Sequence, residues 1–312
     1  MAVALSGQGP RAAALPGRGR WRLKAELEGY AFLLPWLAGF LGLTLGPALA
    51  SLYLSFTDFD LVRSPRWIGV ANYARIATDD PKFAASMHVT FFYVAFAVPL
   101  KLAFALGVAL ILNKGIRGLP VYRALFYLPS LLGASVAIAV LWRQLFAGNG
   151  LVNQLLAPLG IHGPSWISNP DTSLYTLIAL SVWQFGSPMI IFLAGLRQIP
   201  KDVYEAASID GAGWWRRFWN ITLPLLTPVV FFNAIVQTID AFKAFTPAFI
   251  ISAGTGGPID STLFYTLYLY QEAFAFFRMG YAAALAWLLV IIIAAFTAFS
   301  FLTSRYWVHY GD

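Results

Sequence analysis

Five stretches of this chain contain no Asp, Glu, Lys or Arg: Ala31 to Phe56, Ala124 to Trp142, Thr172 to Leu196, Ile221 to Ile239 and Tyr281 to Leu302. A sixth, Val89 to Leu112, is apolar except for Lys101. A hydrocarbon core about 30 Å thick needs about 20 apolar residues of helix, so each run reads as a membrane span. The run from Ile221 continues through Asp240 and Lys243 to the neighbourhood of Ile251. In lipid only helices and closed barrels satisfy their own backbone. These runs are continuous rather than alternating, which argues against a barrel. The expected fold class is an all-α membrane protein with six transmembrane helices. Composition agrees: 59% of residues are hydrophobic and 11% charged, against about a quarter charged in a soluble domain. The same figures exclude disorder. With no Cys, disulfides, thiolate metal sites and cysteine nucleophiles are absent. The net charge of +7 lies between the apolar runs and not on one folded face, so it reports membrane topology and not nucleic-acid binding.

Lys and Arg in the flanks set the orientation. On one side lie Arg11, Arg18, Arg20, Arg22, Lys24, Lys114, Arg117, Arg123, Arg197, Lys201, Arg216, Arg217 and Arg305. The other side has fewer: Arg63, Arg66, Arg75, Lys82, Arg143 and Arg278. Both termini are therefore expected in the cytoplasm. Residues 1–28 read as a disordered cytoplasmic tail, 29–305 as the six-helix domain with a cytoplasmic loop over 197–222, and 306–312 as a C-terminal tail. Ala48-Leu49-Ala50 resembles a signal-cleavage site, but the apolar run is too long for a signal peptide. The first span is expected to remain.

The loop between the fourth and fifth spans reads Ile199-Pro200-Lys201-Asp202-Val203-Tyr204-Glu205-Ala206-Ala207-Ser208-Ile209-Asp210-Gly211-Ala212-Gly213-Trp214-Trp215. Pro200 opens a short helix, with Asp202 in the first turn where the helix dipole favours an anion. Val203, Ala206 and Ala207 share one small apolar face. Gly211 and Gly213 end that helix. Trp214, Trp215, Phe218 and Trp219 form an aromatic face suited to a membrane interface. Pro224 falls near the start of the next span, where it disturbs few backbone bonds. A small-residue face admits close approach by a partner, and Glu205 offers a carboxylate to a partner's cation.

This loop resembles the EAA motif of ABC-importer permeases: Glu-Ala-Ala, three residues, Gly, nine residues, Ile-x-Leu-Pro. Glu205, Ala206, Ala207, Gly211, Ile221, Leu223 and Pro224 occupy its fixed positions, and Asp210-Gly211-Ala212 supplies the common extension. Other segments resemble the carbohydrate branch (maltose and glycerol-3-phosphate type) of binding-protein-dependent permeases. They are Trp67 to Tyr73, Arg123 to Pro129, Gly256-Gly257-Pro258, Ser261-Thr262, Tyr268 to Tyr270, Ala273-Phe274 and Gly280 to Ala284. The resemblance covers roughly residues 30 to 305. It implies a type I ABC-importer permease in a bacterial or archaeal inner membrane. Glu205 to Gly211, with Ile221, Leu223 and Pro224, would couple to an ATPase. The implied partners are a second homologous permease, two ATPase subunits and a solute-binding protein outside. ATP and Mg would bind the ATPase, because this chain has no phosphate-binding loop: Gly254 to Thr262 is Gly-rich but lacks the lysine. The solute would be a sugar, oligosaccharide or glycerol-phosphate-type compound. The rival reading is an ion-coupled carrier using Asp240 and Lys243.

Ionisable and amide groups inside spans mark candidate pathway residues. Asn233, Gln237 and Asp240 stand at i, i+4, i+7 of the fifth span. Lys243 is within reach of Asp240, which lies about 27 Å along the helix from Thr222. This stripe suits either a pathway wall or hydrogen bonding at a permease–permease seam. On the fourth span Gln184 and Ser187 share a face beside Trp183, a set that suits sugar hydroxyls and rings or packing around Pro188. Lys101 is deep enough to point into the bundle, and its role is open. Phe264 to Phe277 reads as an outer-surface or interfacial packing element. His88, His162 and His309 lack metal-ligand spacing, and no catalytic constellation is apparent.

Overall fold

The structure is a computed structural model that describes residues 30, 32–115, 117–133 and 135–309. The whole of the expected N-terminal tail, with its basic residues, and the last three residues of the C-terminal tail lie outside the described residues. The chain divides into two compact units, Met1–Tyr53 and Leu54–Asp312. The first carries most of helix α1 (Phe32–Ser55). Its middle, Phe40–Leu45, is wound as a π-helix, and the Gly46 N–H bonds to the Leu41 carbonyl five residues back. The widened turn lies directly before Pro47, whose ring cannot donate and would crowd the preceding turn.

The second unit opens with a two-residue ladder. Strand β1 (Thr57–Asp58) pairs antiparallel with β2 (Arg66–Trp67). Helix α2 (Ala71–Thr78) follows. Helix α3 (Pro81–Asn113) is capped by Asp80, whose carboxylate accepts from the Phe83 N–H at 2.9 Å, and Pro81 sits where its missing donor is not needed. Next come α4 (Leu119–Leu132), α5 (Val136–Leu145), α6 (Leu151–Leu156), α7 (Pro170–Trp183), α8 (Gly186–Gln198) and α9 (Lys201–Ile209). Helix α10 (Trp214–Arg217) runs through a π-turn, Phe218–Thr222, into α11 (Leu223–Phe242). That π-turn also precedes a proline, Pro224. Helices α12 (Thr246–Ile251), α13 (Tyr265–Tyr270) and α14 (Met279–Ser304) complete the order.

By length and composition, four helical stretches among the described residues could cross a membrane: Phe32–Ser55, Pro81–Asn113, Trp214–Ile251 and Met279–Ser304. Two bent pairs, α4 with α5 and α7 with α8, bring the number to six if each pair is one span. The third and fourth spans are thus not the continuous helices expected over Ala124 to Trp142 and Thr172 to Leu196. Glycines at the bends allow close helix contacts that a straight rod would not make.

Helix α3 is the central post, packed against α7, α8, α11 and α13. Ala97, Ala105 and Ala109 are fully buried along one of its faces, where small side chains let helix backbones close up. Two apolar clusters form around it. One gathers Tyr93, Ala97, Leu177, Phe242, Phe264, Tyr265 and Leu285. The other gathers Ala105, Ala109, Phe185, Phe192, Leu196 and Leu226. Lys101 falls on the same face at the same four-residue spacing, between Ala97 and Ala105, and so between the two clusters.

Candidate functional site

The two helix breaks dock on each other. A Cβ on Gly186 would lie 2.4 Å from the Phe126 carbonyl oxygen and 2.7 Å from the Tyr127 Cα, so only glycine allows α8 this close to α4. A Cβ on Gly133 would strike the Gln184 side chain. Breaking a helix frees backbone groups that lipid cannot satisfy, and here side chains take them. The Ser130 hydroxyl donates to the Gln184 carbonyl at 2.9 Å and accepts from the Ser187 N–H at 3.0 Å. The Gln184 amide donates to the Gly133 carbonyl at 3.2 Å.

A cavity of about 550 Å³ opens beside these breaks. Lys101, Ser130, Gln184, Ser187, Gln237, Asp240 and Lys243 are among its lining residues. Two groups singled out separately in the sequence, on the fourth and fifth spans, therefore share one space, and Lys101 joins them. Asp240 and Lys243 approach to 3.6 Å with both side chains largely exposed. The other two candidates lie elsewhere. Trp183 packs against Trp142, with ring centroids 5.9 Å apart. Asn233 is 0% exposed, and neither its amide nitrogen nor its oxygen has a hydrogen-bond partner. The polar stripe is therefore divided: Gln237 and Asp240 line the cavity, while Asn233 is enclosed by this chain.

The loop forms as its sequence dictates. Helix α9 starts after Pro200 with Asp202 in its first turn. It ends on Gly211 at φ +74°, a conformation that favours glycine. The Ala212 N–H reaches the Ala207 carbonyl at 2.9 Å, and the Gly211 N–H reaches the Ser208 carbonyl at 3.1 Å, which satisfies the helix end. Glu205, Ala206, Asp210 and Gly211 are exposed, and Ala207 is half-buried. Ile209, an apolar residue, is 87% exposed. Trp214, Trp215, Phe218 and Trp219 stack on one another, with three of the four exposed. Ile221, Leu223 and Pro224 lie at the junction into α11.

Two ties that the sequence reading missed fasten α9 to the foot of α11. Tyr204 and Thr222 share a hydroxyl–hydroxyl bond of 3.0 Å. Arg217 donates to the Ser208 hydroxyl at 2.7 Å. A cleft of about 480 Å³ lined by Lys114, Leu196, Tyr204, Arg217 and Thr222 lies behind them. Such long-range partners leave no periodic trace in a sequence. The i, i+4 pair Tyr204–Ser208 was a faint signal, since the Ser208 hydroxyl also donates to the Tyr204 carbonyl.

At the far end of α3, the hydroxyls of Tyr268 and Tyr281 both donate to Asp80 Oδ2, the first at 2.6 Å. Burial opposes the charge on Asp80. The two tyrosines, the Phe83 N–H and the nearby Arg75 outweigh it and hold the carboxyl below its ordinary value. Asn72 donates to the carbonyls of Ser55 and Thr57, and Gly280 lies so close to the Thr57 carbonyl that a Cβ would collide with it. The segments Trp67 to Tyr73 and Gly280 to Ala284 thus tie the ladder, α2 and α14 together. In the aromatic stretch Phe264 to Phe277, Phe264, Tyr265 and Tyr268 are core, while Phe274, Phe276 and Phe277 are exposed. No group of three metal-ligating side chains occurs among the described residues.

Residues 90–308 match the family described as "Binding-protein-dependent transport system inner membrane component". The chain is 54% identical to the probable ABC transporter permease protein YesP of Bacillus subtilis (strain 168), over 92% of this chain and 93% of that protein. It is 32% identical to the lactose transport system permease protein LacF of Rhizobium radiobacter, over 90% of this chain and 95% of LacF. Its fold is that of a chain in the crystal structure of a bacterial alginate ABC transporter in complex with an alginate pentasaccharide-bound periplasmic protein. The TM-score there is 0.80 at 19% identity, covering 95% of this chain and 100% of that one.

Proposed function

The chain belongs to the family of binding-protein-dependent transport system inner membrane components, and from that premise we propose that it forms half of the pathway of an ATP-driven importer for a sugar, oligosaccharide or glycerol-phosphate-type solute. Membership in that family sets aside the ion-coupled carrier. LacF is named for a sugar, which supports the solute class. The remaining half comes from a second, related permease. Two ATPase subunits bind ATP and Mg, and a solute-binding protein delivers the cargo on the outside. Both termini and the α9–α10 loop face the cytoplasm.

The observation that carries this reading is the exposed α9 surface: an apolar face with Glu205 beside it, unpartnered in the described chain and tied by two side-chain bonds to α10 and the π-turn that lead into α11. Closure of the ATP-bound partner pulls on α9. The Tyr204–Thr222 and Arg217–Ser208 ties pass that movement to α11, which lines the cavity. The solute pathway then alternates between outward and inward access, because the closed partner binds the loop better in one of the two states.

The test is the assembled importer in proteoliposomes. Glu205→Arg and Ala207→Trp should each lower ATP-driven uptake by about 10- to 100-fold, the scale of a lost charge-assisted contact, while hydrolysis continues uncoupled. If uptake and hydrolysis both survive the two changes, the coupling role is wrong.

A further inference from the structure

Lys101 bears on the charge of the solute, an inference that rests on the importer reading above. A charge at membrane depth is costly unless it is paired or faces a polar cavity. Lys101 is half-buried on the packed face of α3, in the gap between the two apolar clusters, and it lines the cavity. Among the described residues no carboxylate comes within ion-pair distance of it. Asp240 is the one acid among the residues lining the cavity, and it already holds Lys243 at 3.6 Å. Two lysines against one carboxylate leave this chain's side of the cavity with one positive group in surplus. The other polar side chains that line it, Gln184, Ser187 and Gln237 among them, are neutral and match hydroxyls. Through Ser187 the cavity also meets the amino end of α8, the positive end of that helix.

We propose that the solute carries an anionic group, a carboxylate or a phosphate, that is received by Lys101 as it crosses this cavity, so that Lys101 is a specificity-determining residue. Neutral amides and hydroxyls bind the uncharged part of the solute. The surplus positive charge makes an anionic solute the better fit and leaves a neutral one facing an unpaired ammonium.

The experiment uses the assembled importer with its solute-binding protein in proteoliposomes. Three labelled probes are supplied: a neutral disaccharide, a disaccharide with one hexuronate unit, and glycerol phosphate. Uptake of an anionic probe in preference to the neutral one is expected, and which anionic probe is taken separates carboxylate from phosphate. In Lys101→Gln the ratio of anionic to neutral uptake should fall by about tenfold or more, the scale of a hydrogen bond to a charged group, and Lys101→Arg should restore most of it. Taking the ratio within each variant cancels differences in folding and assembly. A ratio unchanged in Lys101→Gln, or a preference for the neutral probe in the unmodified importer, overturns the proposal. Transport of no probe at all would remove the carbohydrate reading as well.

Discussion

The α9–α10 loop and the cavity beside the broken helices are built in opposite ways. The loop is one continuous segment, exposed over most of its length, and its helix start and stop come from Pro200 and Gly211 within that segment. The cavity is assembled from α3, α4, α7, α8, α11 and the start of α12. Its shape depends on glycines at two breaks and on Ser130, which bridges residues more than fifty positions away in the chain. The loop's residues are free to be chosen for a partner. The residues at the breaks are constrained by packing within the chain, so the same kind of substitution should damage stability at one and leave it intact at the other.

Gly186→Ala should show the largest stability effect. Its Cβ would meet backbone atoms of Phe126 and Tyr127 that cannot swing aside, and overpacking of this kind costs up to about 3 kcal/mol. The melting temperature of the detergent-purified protein should drop by several degrees; an unchanged melt would show that the two breaks do not dock closely. Ser130→Ala comes next. It leaves the Gln184 carbonyl and the Ser187 N–H without their partner, at about 0.5–1.5 kcal/mol for each part-buried hydrogen bond lost. Ser130→Thr, which keeps the hydroxyl, should melt closer to the unmodified protein. Glu205→Arg should show the smallest effect, a shift within about 0.5 kcal/mol as for other exposed positions. A large melting loss there would mean that the loop is part of the fold and would erase the contrast.

The loop was legible in the sequence because its information is local. Helix start, glycine stop, small-residue face and motif spacing all lie within residues 199 to 224, and the helix starts and stops where expected. The cavity was legible only in part. Gln184 and Ser187, and separately Gln237, Asp240 and Lys243, stood out as polar groups in apolar runs, but their meeting did not. Asn233 and Trp183 share the spacing of the pathway candidates and yet lie away from the cavity. Helical periodicity shows which residues share a face; it does not show what that face meets.

The amino-acid sequence by itself determined that the chain is helical and membrane-borne, where its apolar runs lie, and which segment makes the loop. Those properties follow from transfer of side chains into lipid and from local backbone preferences, both of which act over a few residues. Tertiary structure alone decided that the third and fourth runs bend, that Ser130 closes the bends, that α9 is fastened to α11, and that Lys101 enters a shared cavity. Each of these depends on contacts between residues far apart in the chain, and such contacts exist only once the helices have packed.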